Sequence, residues 1–169
     1  DDQISFDIIF DGKAREDFKP KIHKFLSQIT NIYPFIKQLH FTIRSENSFP
    51  HSAGIASSAS SMGAIALCLC SIEENLFDKF KSQDSFYTKA SYLARIGSGS
   101  ACRSIFPVAS IWGKSTDISS SDDSFGIPFG DSIHPVFHNF HDDILIVSAE
   151  EKEVSSTVGH ELMNNNIYA

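Results

Sequence analysis

At 169 residues the chain is long enough for one ordinary domain, or a domain and part of a second, with a core that needs neither disulfides nor a metal. Apolar residues at 41%, charged residues at 21% and 15 Phe exclude the low-hydrophobicity composition of a disordered chain. The 14 Lys+Arg against 21 Asp+Glu give a net charge of −7 spread along the chain, which excludes a broad cationic face for nucleic acid or anionic lipid.

An anionic ligand must therefore be held locally, by backbone N–H groups and a few placed cations. No apolar run reaches the ~18 residues a membrane span needs, and no secretory leader pattern is present. The expectation is a soluble, cytoplasmic protein. Cys68 and Cys70 fall in a segment that reads as a buried helix, so the expectation for them is inert core thiols in a reducing compartment. The chain opens at Asp1-Asp2 with no Met and runs at once into a strand pattern, which reads as a piece of something longer.

Ile4, Phe6, Ile8 and Phe10 alternate with Ser5, Asp7 and Ile9, and Asp11-Gly12 follows as a tight-turn dipeptide. This predicts a half-buried strand entering a turn. After Pro20, Ile22, Phe25, Leu26 and Ile29 recur at offsets of three, four and seven, predicting a helix that ends before Pro34. Leu39, Phe41 and Ile43 alternate with polar residues in a second strand.

Residues 51–63 are small and hydroxyl-rich and read as a loop feeding a buried helix from Ala64 onward. A further helix spans about 84–93. It leads into a second Gly/Ser loop over 95–104, which reads as opening another helix. Residues 115–141, with the acidic-serine run Ser119 to Ser124, read as a long loop or domain connection. Asp143 to Ser148 predicts a buried strand, and 154–160 a turn capping a last, interrupted helix. The irregular alternation of strands and helices leaves α+β and α/β both open.

A Gly/Ser-rich loop at a helix N-terminus offers clustered N–H donors, a favourable dipole end and hydroxyls, so both loops fit a phosphate cradle; small residues also permit close helix packing. Neither loop carries the Gly-Lys-Ser/Thr of a P-loop or the G-x-G-x-x-G of a dinucleotide fold. Arg103, three residues past Ser100, can reach back to grip a carboxylate or phosphate, or pair with a surface carboxylate. His134, His138 and His141 sit in a segment with Pro135 and no periodicity to converge them on zinc. His160-Glu161 lacks the second His of a zincin, and no G-x-S-x-G elbow is present.

Taken together, Ser45 to Ala59, Arg95-Ile96-Gly97-Ser98-Gly99-Ser100-Ala101-Cys102-Arg103-Ser104 and Lys152 to Thr157 resemble the mevalonate diphosphate decarboxylases of the GHMP kinase superfamily. Pro50 to Ala59 reproduces that superfamily's P-x-x-x-G-L-x-S-S-A loop with Ile55 in the Leu place. The run G-S-G-S-A-C-R-S is similar to the motif that sets the decarboxylases apart. His51 and Ser52 depart from the small pair common after the Pro, and Phe106-Pro107-Val108-Ala109 from a Phe-Gly-Gly run.

The resemblance implies an α+β fold, that of the GHMP kinase N-terminal domain, like the second domain of ribosomal protein S5. It implies that residues 1–141 are most of that domain without its first strands, and that 142–169 begin the C-terminal domain. The implied reaction is decarboxylation of mevalonate 5-diphosphate to isopentenyl diphosphate with ATP and Mg2+, in isoprenoid biosynthesis. Gly54, Ser57 and Ser58 would bind the ATP phosphates. Ser98, Ser100, Arg103, Ser156 and Thr157 would bind the substrate. The family's catalytic Asp has no counterpart in these residues, so the piece alone is expected to be inactive. The implied partners are the small-molecule substrate and a second copy in a homodimer, with no nucleic acid and no membrane. Rival readings are another GHMP kinase, a monophosphate decarboxylase, or a non-catalytic GHMP-like binding protein.

Overall fold

A computed structural model describes residues 3–49, 57–141, 143–145 and 166. The chain divides into two compact units, one of Asp1–Glu46 and Ser58–Phe140, the other of Asn47–Ser57 and His141–Ala169. All side-chain contacts below belong to the first.

Strand β1, Ser5–Phe10, buries Phe6, Ile8 and Phe10 and turns its other residues outward, as its alternation predicts. Asp11 and Gly12 both take positive φ (50° and 74°), folding the chain back into the short β2, Lys13–Ala14. Helix α1, Lys19–Gln28, carries Pro20 in its first turn, where no donor is lost, and buries Ile22, Phe25 and Leu26. β3, His40–Ser45, runs parallel to β1 with Phe6 opposite Phe41 and Ile8 opposite Ile43. A parallel pair needs a crossover, and α1 supplies it. The sheet order is β2-β1-β3.

Helix α2, Ser57–Phe77, is a correction to the sequence reading: residues 57–63, expected as loop, are already helical. Ala59, Met62, Gly63, Ala66, Leu69, Cys70 and Glu73 form one buried stripe at three- and four-residue spacing. The stripe begins among small residues, whose weak hydrophobicity hid it from the sequence. Cys68 faces outward and is exposed, against expectation; Cys70 is buried.

Helix α3, Gln83–Gly97, is longer than predicted and opens on a reciprocal cap, Ser85 N–H to Ser82 Oγ (3.2 Å) and Ser82 N–H to Ser85 Oγ (3.3 Å). After it the chain enters a 3-10 helix, Gly99–Ile105, where the sequence suggested a new α-helix. The 115–141 stretch is not only loop. It contains β5, Gly126–Pro128, antiparallel to β4, Ser110–Trp112, with Trp112 opposite Gly126.

Asp143, Ile144 and Leu145 are in no strand, and the rest of the strand expected there lies outside the described residues, as does the turn over 154–160. Among the described residues no helix is long and apolar enough to cross a membrane.

The core joins the inner face of β1, α1, α2, α3 and the 3-10 helix. Two polar groups inside it are matched. Lys89 Nζ bonds both carboxylate oxygens of Glu73 (2.6 and 2.7 Å) and lies 4.4 Å from the Tyr33 ring centre, and Tyr33 Oη meets Cys70 Sγ at 3.4 Å.

Candidate functional site

Ser58 sits in the first turn of the 21-residue α2, at the end where the positive end of the helix dipole favours an anion. Ser57 is the first residue of that helix. Gly54, Ser156 and Thr157 lie outside the described residues.

The second loop is shaped by the way α3 stops. Gly97 is its last residue, and a Cβ there would stand 2.7 Å from Met62 Sδ and 3.0 Å from Met62 Cγ. A side chain at 97 would force Met62 to shift, so glycine suits the close approach of α3 to the first turns of α2. Ser98 then swings to an extended conformation (φ −160°, ψ 121°), which breaks the helix and turns its side chain to α2. The Ser98 and Ser58 hydroxyl oxygens stand 3.4 Å apart, both half-buried.

In the 3-10 helix that follows, side chains three apart eclipse, so Ser100 and Arg103 share an edge. Arg103 is exposed. Among the described residues no carboxylate pairs with it or with Arg95.

The floor of this loop is a buried relay. Ser91, on α3, donates to the Cys102 carbonyl (2.8 Å) and accepts from Gly126 N–H (2.8 Å). Gly126 packs so tightly that a Cβ would fall 3.0 Å from the Cys102 carbonyl oxygen. Ser110 Oγ donates to the Arg103 carbonyl (3.2 Å), tying β4 to the same turn. Burial pushes the Cys102 thiol up, against the opposing pull of the Arg95 and Arg103 charges.

The structure thus brings Ser58 to Ser98 and places Ser100 and Arg103 on the turn beside them. The sequence reading missed Ser91, Arg95 and Trp112. Arg95 and Arg103 lie 4.8 and 5.8 Å from the centre of the Trp112 ring. The signal available was the single Trp of the chain, nine residues past Arg103.

His134 and His138 are spent on backbone: His134 Nδ1 accepts from Val136 N–H (3.3 Å), and the Gly130 carbonyl accepts from His138 Nε2 (3.0 Å). An open groove lined by Gln3, Ser5, Lys19 and His23 lies at β1 and α1 and contains none of the candidate residues. Beside it Ser5 Oγ, His40 and Asp7 form an exposed hydrogen-bonded chain (2.7 and 3.2 Å), where water competes for each bond.

The family model described as the diphosphomevalonate decarboxylase-like N-terminal domain matches residues 2–126. The diphosphomevalonate decarboxylase of Saccharomyces cerevisiae is 35% identical over 131 residues, covering 76% of this chain and 30% of its own length. That of Eremothecium gossypii is 33% identical over 126 residues, covering 75% and 29%. The mevalonate diphosphate decarboxylase of Enterococcus faecalis superposes with a TM-score of 0.53 at 32% identity, over 75% of this chain and 36% of that one. The chain therefore spans about a third of the length of these relatives. Its mixed α+β fold is theirs, the GHMP kinase fold. A match running from before β1 to the start of β5, across both serine motifs, shows that the chain belongs to the diphosphomevalonate decarboxylase-like family, whose N-terminal domain model its residues 2–126 match.

Proposed function

We propose that the protein carrying this chain catalyses the ATP-dependent decarboxylation of mevalonate 5-diphosphate to isopentenyl diphosphate. The observation that carries the reading is the 3.4 Å approach of Ser58 Oγ to Ser98 Oγ. It joins the first turn of α2, suited to ATP phosphates, to the segment after α3, suited to the substrate, and phosphoryl transfer requires donor and acceptor in contact.

In this reading Gly54, Ser57 and Ser58 hold ATP phosphates at the N-terminus of α2. Ser98, Ser100 and Arg103 hold the substrate's diphosphate and carboxylate, with Ser156 and Thr157 at the diphosphate end. The C3 hydroxyl oxygen gives up its proton to solvent and takes the γ-phosphoryl, and ADP leaves with the pair of the broken bond to the bridging oxygen. Phosphate then leaves with the C–O bonding pair, the bond to the carboxylate breaks, its pair forms the double bond, and CO2 departs. The Enterococcus faecalis relative binds ATP in a manner mediated by mevalonate diphosphate. The hydroxyl contact between Ser58 of α2 and Ser98 suits such an order.

Among the described residues no group of three His, Cys, Asp or Glu could hold a metal. In this reading Mg2+ arrives on the ATP phosphates, and no step is assigned to a protein-held ion. Residues 1–141 are part of the N-terminal domain and 142–169 begin the next, in a cytoplasmic protein.

The test is stoichiometry. The protein carrying this chain, given ATP and mevalonate 5-diphosphate, should release CO2, ADP and phosphate in equal amounts. ADP without CO2 would make it a kinase, and neither product a binding protein.

A further inference from the structure

Arg103 is a long, exposed side chain on a short turn, with no carboxylate pairing with it among the described residues. Such a chain gives up rotamer freedom when it grips a ligand, unless something holds it beforehand. The indole of Trp112 lies 5.8 Å from its guanidinium, within the reach of a cation–π contact.

That ring is itself held. Its Nε1–H donates to the Asp123 carbonyl at 2.8 Å. Its strand pairs with Gly126, whose N–H binds Ser91, which in turn binds the carbonyl of Cys102, the residue before Arg103. Ser110, on the same strand, binds the carbonyl of Arg103 itself. Ring and arginine are therefore fixed to one frame, from both the backbone and the side-chain end.

Arg95 adds a second guanidinium at 4.8 Å from the ring centre, and its buried Nε has no hydrogen-bond partner among the described residues. No carboxylate among the described residues competes with the ring for either cation. We propose that Trp112 is a positioning residue, a platform that holds the Arg103 guanidinium ready for the anionic substrate. The inference rests on the assignment of Arg103 to substrate binding made above.

Trp112→Leu removes the ring face, and Trp112→Phe keeps a smaller one. In the full protein, Trp112→Leu should raise KM for mevalonate diphosphate about tenfold, with KM for ATP within about twofold, and Trp112→Phe should recover most of the loss. In an Arg103→Met background, Trp112→Leu should have no further effect, since its action runs through Arg103. An equal loss in both backgrounds, or equal losses for ATP and mevalonate diphosphate, would overturn the proposal.

A second readout needs neither turnover nor a folded Leu variant. The NMR resonance of the Arg103 Nε–H should carry an upfield ring-current shift in the native protein, reduced in Trp112→Phe. No such shift means that Trp112 does not hold Arg103. A clear shift together with an unchanged KM in Arg103→Met supports the platform and removes the substrate assignment instead.

Discussion

The hydroxyls of Ser58 and Ser98, forty residues apart in sequence, stand 3.4 Å apart, one in the first turn of α2 and the other at the stop of α3. Beside the contact, Gly97 ends α3 against the side chain of Met62, four residues beyond Ser58.

The two serines should act as one unit. If Ser58 serves the ATP phosphates as proposed, Ser58→Ala removes one donor from a preorganised site, a loss that typically costs ~2.7–4 kcal/mol of transition-state stabilisation. Ser98→Ala should lose part of the same interaction, so the double variant should fall short of the sum by on the order of 0.5–3 kcal/mol. Measuring kcat for both single variants and the double decides it. Strict additivity would mean that the contact carries no function.

Arg103 should grip the substrate and not ATP. Because the side chain is exposed, its contribution is that of a charge-assisted hydrogen bond, ~1.5–3 kcal/mol, and not of a buried ion pair. Arg103→Met should lose that amount in kcat/KM for mevalonate diphosphate. Arg103→Lys should lose a part, since it keeps the charge without the planar fork. The dissociation constant of an ATP analogue, measured on the same proteins, should barely move. Equal losses of nucleotide and substrate would contradict the assignment.

Ser91→Ala should destabilise the fold without touching a ligand. It orphans the Gly126 N–H and takes a donor from the Cys102 carbonyl in a site where Ser91 is 0% exposed, and an unsatisfied buried group costs ~1–3 kcal/mol. Denaturant unfolding should show a lowered midpoint with an unchanged slope. A variant as stable as the parent would mean that the relay is dispensable.

The thiols should separate by burial. At pH 8 an alkylating reagent should modify exposed Cys68 in the folded protein and spare Cys70 and Cys102. Burial pushes the Cys70 thiol up from 9.0 to about 11, with Tyr33 alongside it. The folded state thus holds the proton where the unfolded chain has released it, so this contribution to stability is intact below pH 9 and lost as pH rises toward 11. Unfolding midpoints measured across that range should fall, and a Cys70→Ala protein should show less of the fall.

β1, α1 and β3 are legible in the amino-acid order, because their hydrophobic spacing is written within a few residues: Phe6, Ile8 and Phe10 at period two, and Ile22, Phe25, Leu26 and Ile29 at helical period. That order also pointed to Ser58, Ser98, Ser100 and Arg103 through their Gly/Ser setting and their resemblance to a family. Tertiary structure alone decided where α2 begins, since Ala59 and Gly63 are too small to announce a buried face until another helix covers them. It decided that Cys68 faces out while Cys70 faces in, a choice set by the side from which the core approaches the helix. It decided too that Ser58 meets Ser98 and that Trp112 lies under two arginines. Those meetings depend on the path of the whole chain through helix ends and crossovers, and no local pattern of hydrophobicity encodes that path.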